Sequence, residues 1–161
     1  MRRIVWLLAF LGGCAGGSSA TVEGTAMGIS LGEARYVYYG GPFLVISAKE
    51  VDCMDVDWVR RSYPEGTVPT EDDRELLQFA FATSDVTEGQ KSVGLGASVT
   101  STVLSISGGA LTQSRATAGT LTVASIEEET LATGSFSGLT FEDGTLSGEY
   151  EAEWCVNLKD R

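Results

Sequence analysis

Two alternating stretches, 131–141 and 145–158, flank Glu142-Asp143-Gly144 near the end of the chain, and this unit narrows the possible folds more than any other. Asp-Gly between alternating strands is a strong hairpin signal, because the tight turn needs residues that tolerate positive φ. On the return stretch Leu146, Tyr150, Ala152, Trp154, Val156 and Leu158 share one parity. Thr145, Ser147, Glu149, Glu151, Glu153 and Cys155 take the other. Successive strand side chains point to opposite faces, so the pattern predicts one face in the core and one in water. Cys155 is thereby expected on the polar side. Outward Glu149, Glu151 and Glu153 are read as charges that discourage edge-to-edge pairing.

The rest of the chain carries the same signature. Glycine is frequent (20 of 161 residues), proline is scarce (3), and short apolar runs recur between glycines, as in an all-β domain. Expected strands are Val22–Ser30, Ala34–Tyr39 up to Gly40-Gly41-Pro42, Phe43–Ala48, Leu76–Thr83, Val93–Val103 and Gly119–Ile126, with a short edge strand opening at Leu111. Phe43–Ala48 is apolar at both parities, which predicts a central strand covered on both faces. In the stretch from Val93, the alternation of Val99 and Val103 gives way to Leu104 and Ile106, read as a bulge or a second strand. Glu50–Pro64 differs: Met54 and Trp58 fall four apart, so one short helical turn near 53–61 is expected. The predicted architecture is a single antiparallel β-sandwich or flattened barrel of about 8–10 strands.

At the other end, Met1-Arg2-Arg3 precedes the apolar run Ile4–Leu11, followed by Gly12, Gly13 and Cys14. A basic start, a short apolar run and small residues make a secretory signal peptide. The run is far short of the roughly 20 residues that span a bilayer. Leu11-Gly12-Gly13-Cys14 resembles the lipobox of bacterial lipoproteins. That resemblance implies diacylglycerol on the Cys14 sulfur, cleavage after Gly13 and acylation of the new amino terminus. Several acyl chains anchor firmly where one myristoyl chain does not. Ala15 rather than Asp after the cysteine implies the outer membrane of a Gram-negative envelope. The expected organisation is a signal peptide over 1–13, a lipidated Gly/Ser tether over 14–20, and a β domain over 21–161.

Gly134-Ser135-Phe136 and Leu146-Ser147-Gly148-Glu149-Tyr150-Glu151-Ala152, ending at Cys155, resemble the C-terminal hairpin of a group of uncharacterised predicted lipoproteins. The resemblance bears on fold and location and implies no activity.

With Cys14 lipidated, two of the three cysteines remain, Cys53 and Cys155. In an oxidising envelope such a pair forms a disulfide, expected here as a staple on the outer surface. No Cys-x-x-Cys or neighbouring His argues for a redox role. The chain has no histidine at all, which removes Ser-His-Asp triads, Cys-His dyads and the usual zinc sites. Loss of Arg2 and Arg3 takes the formal charge from −11 to −13, a poor match for nucleic acid.

Two constellations remain. Glu50, Asp52, Asp55 and Asp57 offer oxygen ligands for a hard cation such as Ca²⁺, but no EF-hand glycine or closing glutamate follows, and Arg60 and Arg61 lie near. A solvated or salt-bridged face is the plainer reading. Tyr36, Tyr38 and Tyr39, with Trp58 and Trp154, are either core and sheet packing or an aromatic platform for sugar or peptide at the Gly-Gly-Pro rim. The expected function is a membrane-anchored, non-catalytic structural or protein-interaction module. The alternative is a Ca²⁺- or carbohydrate-binding module, and a carboxylate-dependent hydrolase ranks third. No cofactor is expected beyond the covalent diacylglycerol and acyl groups on Cys14. The expected partners are the lipid bilayer and another envelope protein.

Overall fold

The computed structural model describes residues 18–53, 56 and 73–158. Eleven strands follow in order: β1 (Ser19–Thr25), β2 (Gly32–Ala34), β3 (Tyr36–Gly40), β4 (Phe43–Ser47), β5 (Arg74–Phe81), β6 (Gly89–Ser92), β7 (Val99–Ser107), β8 (Ala110–Arg115), β9 (Ala118–Glu127), β10 (Leu131–Phe141) and β11 (Gly144–Trp154). A 3-10 turn, Val156–Leu158, follows β11. The fold is all-β, as the sequence predicts. It is one curled mixed sheet forming a half-barrel, in the order β6-β9-β10-β11-β3-β4-β5-β7-β8, with β1 paired to β11 and β2 paired to β1. Within the described residues β1 takes in Ser19 and Ala20, so regular structure begins before the expected boundary at Thr21.

The expected hairpin forms, but its two turn residues are Glu142 and Asp143: Gly144 already pairs with Phe141 as the first residue of β11, and none of the three has a positive φ. Glycine is needed there because a Cβ at Gly144 would collide with Thr25 O, and β11 pairs with three strands, β10, β1 and β3. It pairs along its length with β10. Its other edge pairs antiparallel with β1 over Thr145–Glu151, then parallel with β3 at Glu153 and Trp154. It is therefore an interior strand. Glu149 and Glu151 stand on its exposed face opposite Thr21, Ser19, Ser135 and Thr133. The edge-guarding role expected of these glutamates is corrected accordingly, because β11 has no free edge along that stretch.

The Gly-x-aromatic repeats of β10 and β11 have a physical reason. Gly134 lies opposite Tyr150, and Phe136 opposite Gly148. Each ring lies against the partner strand's glycine: a Cβ at Gly134 would come 2.8 Å from Tyr150 Cζ, and one at Gly148 would come 2.8 Å from Phe136 Cζ. Those Cβ atoms would also meet the backbone carbonyls of Thr122 and Thr21. Glycine in a strand is costly alone, and a cross-strand aromatic restores the missing packing. Both rings are buried, Phe136 packs against Phe79 with centroids 5.4 Å apart and planes tilted at 54°, and the Tyr150 hydroxyl donates to Thr122 O at 3.4 Å.

The main core fills one face of the curled sheet, from Val22 and Val37 through Leu44, Ile46, Leu77, Phe79 and Val103 to Leu121, Leu139 and Leu146. A second, smaller cluster covers the opposite face of β4, β5 and β7 with Val45, Val51, Val56, Leu76, Leu104, Ile106, Cys155 and Leu158. Phe43–Ser47 is thus covered on both faces, as its two-parity apolar run predicts. The same cluster explains Leu104 and Ile106. No bulge occurs there, since β7 pairs with β5 in continuous register from Val99 to Ile106. The apolar parity switches because the strand passes from feeding the main core to feeding the second cluster. An irregularity falls instead in β10, between Phe136 and Leu139.

Two outcomes are expected. Gly134→Ala or Gly148→Ala lowers the unfolding free energy by about 1–3 kcal/mol through overpacking, measured by urea denaturation; an unchanged midpoint would sink the ring-on-glycine account. Burial also holds the Tyr150 hydroxyl well above its ordinary value near 10, so the folded state keeps a proton that the unfolded chain releases. The associated stability is complete below about pH 10 and falls as pH rises further, by at most about 1.4 kcal/mol per unit. Tyr150→Phe should flatten the decline in Tm above about pH 10, and an unaltered slope would contradict the burial argument.

Candidate functional site

Cys53 and Cys155 form a disulfide, with Cα atoms 5.6 Å apart. Its position differs from expectation. Cys155 is fully buried, within the second cluster, and Cys53 is half-buried against it. The parity argument put Cys155 on the face away from the main core, and that face is where it lies. What the alternation does not carry is the cover: Val51, Val56, Leu104, Ile106 and Leu158 come from other segments and make that face apolar. The chain still runs alongside β3 at this point, extending the parallel pairing of Glu153 and Trp154, as Cys155 N donates to Tyr39 O at 2.8 Å. A Cβ at Gly40 would collide with the Cys155 carbonyl, so this close approach requires glycine. Asn157 Nδ2 donates to Cys53 O at 3.1 Å and ties the turn to the same segment.

Val156 and Leu158 are not in the strand. The chain leaves the sheet after Trp154, so Val156 is half exposed at 50 % and Leu158 joins the second cluster. The short helix expected near 53–61 lies mostly outside the described residues; within them, Val56 N donates to Asp52 O at 3.0 Å, one helical-type bond. Asp55, Asp57, Arg60, Arg61 and Trp58 are also outside the described residues, as is Cys14. Of the acidic cluster, Glu50 and Asp52 are exposed. They and Glu153 face Tyr38, whose hydroxyl is raised above its ordinary value first by burial, then by Glu153 and Asp52. Among the described residues no three His, Cys, Asp or Glu side chains are grouped to hold a metal ion.

The tyrosines divide by parity. Tyr38 packs on the second cluster and Tyr39 in the main core. Tyr39 meets Trp154 edge-to-face, with centroids 5.2 Å apart and planes at 65°. The two residues share a cavity of about 220 Å³ with Gly41, Asp85, Val86, Ile126, Glu128 and Glu129. This lies at the rim where β3 ends, beside the Gly-Gly-Pro break. Three connections build it. The Tyr39 hydroxyl donates to Glu127 O at 2.9 Å, Trp154 N donates to Thr130 O at 3.0 Å, and Val86 N donates to Gly41 O at 2.7 Å. Together they draw the β9–β10 turn and the loop after β5 onto the end of β3. Glu129 occupies that turn with φ 53°, a left-handed position that usually goes to glycine or asparagine. The Tyr39 hydroxyl is raised first by burial, opposed by the Thr130 backbone N–H, and further by Glu127, Glu129 and Glu128. The rim's lining carries three acidic side chains, Asp85, Glu128 and Glu129, and no basic one.

Sequence reasoning named Tyr39, Trp154 and the Gly-Gly-Pro rim. It gave no role to Glu128 and Glu129, which follow the expected Gly119–Ile126 strand, and missed Asp85 and Val86, which carry no local signal. Two larger hollows, each about 470 Å³, lie over Gly134 and Gly148 on the outer sheet face and are lined largely by Ser, Thr and Glu. They are shallow and open to solvent.

No protein-family model, curated protein or solved structure matches this chain.

The disulfide closes a separation of 102 residues. Reduction, or Cys53→Ala with Cys155→Ala, should lower the unfolding free energy by about 2–5 kcal/mol. Urea titration with and without reductant measures this, and coincident curves would mean that the second cluster holds without its crosslink.

Proposed function

We propose that the chain is an envelope lipoprotein, held at the membrane by acylated Cys14, whose half-barrel is a non-catalytic interaction module. The observation that carries this reading is the cysteine pairing. Cys53 and Cys155 are bonded to each other, which leaves Cys14, the cysteine of the lipobox-like Leu11-Gly12-Gly13-Cys14, as the remaining thiol of three. A buried disulfide also suits an oxidising compartment. Ala15 after the cysteine favours the outer membrane. The lack of any histidine favours holding a partner over turning over a substrate.

Only residues 15–17 separate Cys14 from Ser18. Ser18 is tied into the domain: its hydroxyl donates to Arg35 O at 3.0 Å and accepts from Val37 N at 3.1 Å. Four residues span at most about 14 Å, so the anchor would hold the β1 end of the half-barrel near the lipid surface. Partners would then be another envelope protein as well as the bilayer. A second reading, a small-ligand module, is supported by the Tyr39–Trp154 cavity.

Metabolic labelling with palmitate checks the anchor. Wild type should take up label and sediment with membranes, and Cys14→Ser should do neither. Equal labelling of the two, or of neither, ends the lipoprotein reading.

A further inference from the structure

The rim cavity narrows its own ligand by size and chemistry. At about 220 Å³ it holds roughly seven waters' share of liquid volume. That suits a head group of a few heavy atoms and excludes a chain of sugar rings. Its floor is apolar and aromatic: Val86 and Tyr39 are buried, and Ile126 and Trp154 are half-buried. Its mouth carries Asp85, Glu128 and Glu129, all exposed, and no lining residue is basic. The basic group on the neighbouring β6, Lys91, donates to Glu88 O at 2.7 Å and is not among the lining residues.

Each competing ligand class meets an obstacle. An anion would face three carboxylates. Ca²⁺ takes about six to eight oxygens, and among the described residues no three acidic side chains, those at this mouth included, are grouped closely enough to hold a metal ion. A neutral sugar needs donors as well as acceptors, but the Tyr39 hydroxyl is already spent on Glu127 O. A weakly hydrated organic cation meets no such obstacle. Its alkyl surface packs on Val86 and Ile126, its charge is attracted to an indole or phenol ring, and the carboxylates at the mouth complete the neutralisation.

We propose that the cavity formed by Tyr39, Trp154, Val86 and Ile126 under Asp85, Glu128 and Glu129 is a binding site for a small alkylammonium group. This rests on the small-ligand reading and names its ligand class. It is independent of the lipid anchor.

The test is calorimetric titration of the detergent-solubilised full chain with tetramethylammonium chloride, against sodium chloride at equal ionic strength and against methyl glucoside. Saturable binding of tetramethylammonium is expected, with weakening as salt screens the mouth. Trp154→Ala should weaken it about tenfold. Glu128→Gln, on an exposed turn where folding is not at risk, should weaken it by a smaller factor. Heats identical to sodium chloride would overturn the assignment, as would equal binding by wild type and both variants. Binding of methyl glucoside but not tetramethylammonium would overturn the cation class while leaving a ligand site. Binding of neither would remove the small-ligand reading as well.

Discussion

The reciprocal seating of Tyr150 on Gly134 and of Phe136 on Gly148 is the contact on which the architecture depends. It locks β10 to β11 in one register, since a slip of one residue would drive a ring against a side chain instead of a glycine. With that register set, the other edge of β11 serves two strands in turn, β1 antiparallel and β3 parallel. The sheet order then continues through β3 to β4, β5, β7 and β8. One interior strand thus joins the two wings of the half-barrel.

The end of that strand also decides where chemistry is placed. Trp154 and Cys155 are adjacent, and they serve opposite faces. Trp154 meets Tyr39 at the rim cavity, while Cys155 enters the second cluster and bonds to Cys53. The tie from Cys155 N to Tyr39 O fixes both placements at once. A cavity wall that hangs on a strand terminus would ordinarily fray. Here the crosslink lies one residue beyond the indole, and the 3-10 turn caps it with buried Leu158.

Local patterns in the sequence carried much of this. Asp143-Gly144 announced the hairpin, the unbroken apolar run at Phe43 announced a strand covered twice, and the cysteine inventory announced the pair. Three things were not legible. Alternation along β11 says which face Cys155 takes but not what lies over that face, and the cover comes from residues remote in sequence, such as Val51, Val56 and Leu104. For the same reason the apolar switch at Leu104 resembled a bulge. The rim cavity joins Asp85 and Val86 to Glu128 and Trp154, and no spacing rule links segments that meet only through tertiary hydrogen bonds. The expected eight to ten strands became eleven because short pieces such as β2 and β6 exist by pairing, with little apolar pattern of their own.

Native-state hydrogen exchange tests most directly whether β11 is the member that holds the two wings together. Amides of β10 and β11 that face each other across the Gly134–Tyr150 and Phe136–Gly148 pairs should exchange only through global unfolding. Those of the outer strands β6 and β8 should open at lower free energy. If the β11 amides exchange early while β4, β5 and β7 stay protected, the half-barrel is organised around its other wing, and the central role of β11 is contradicted.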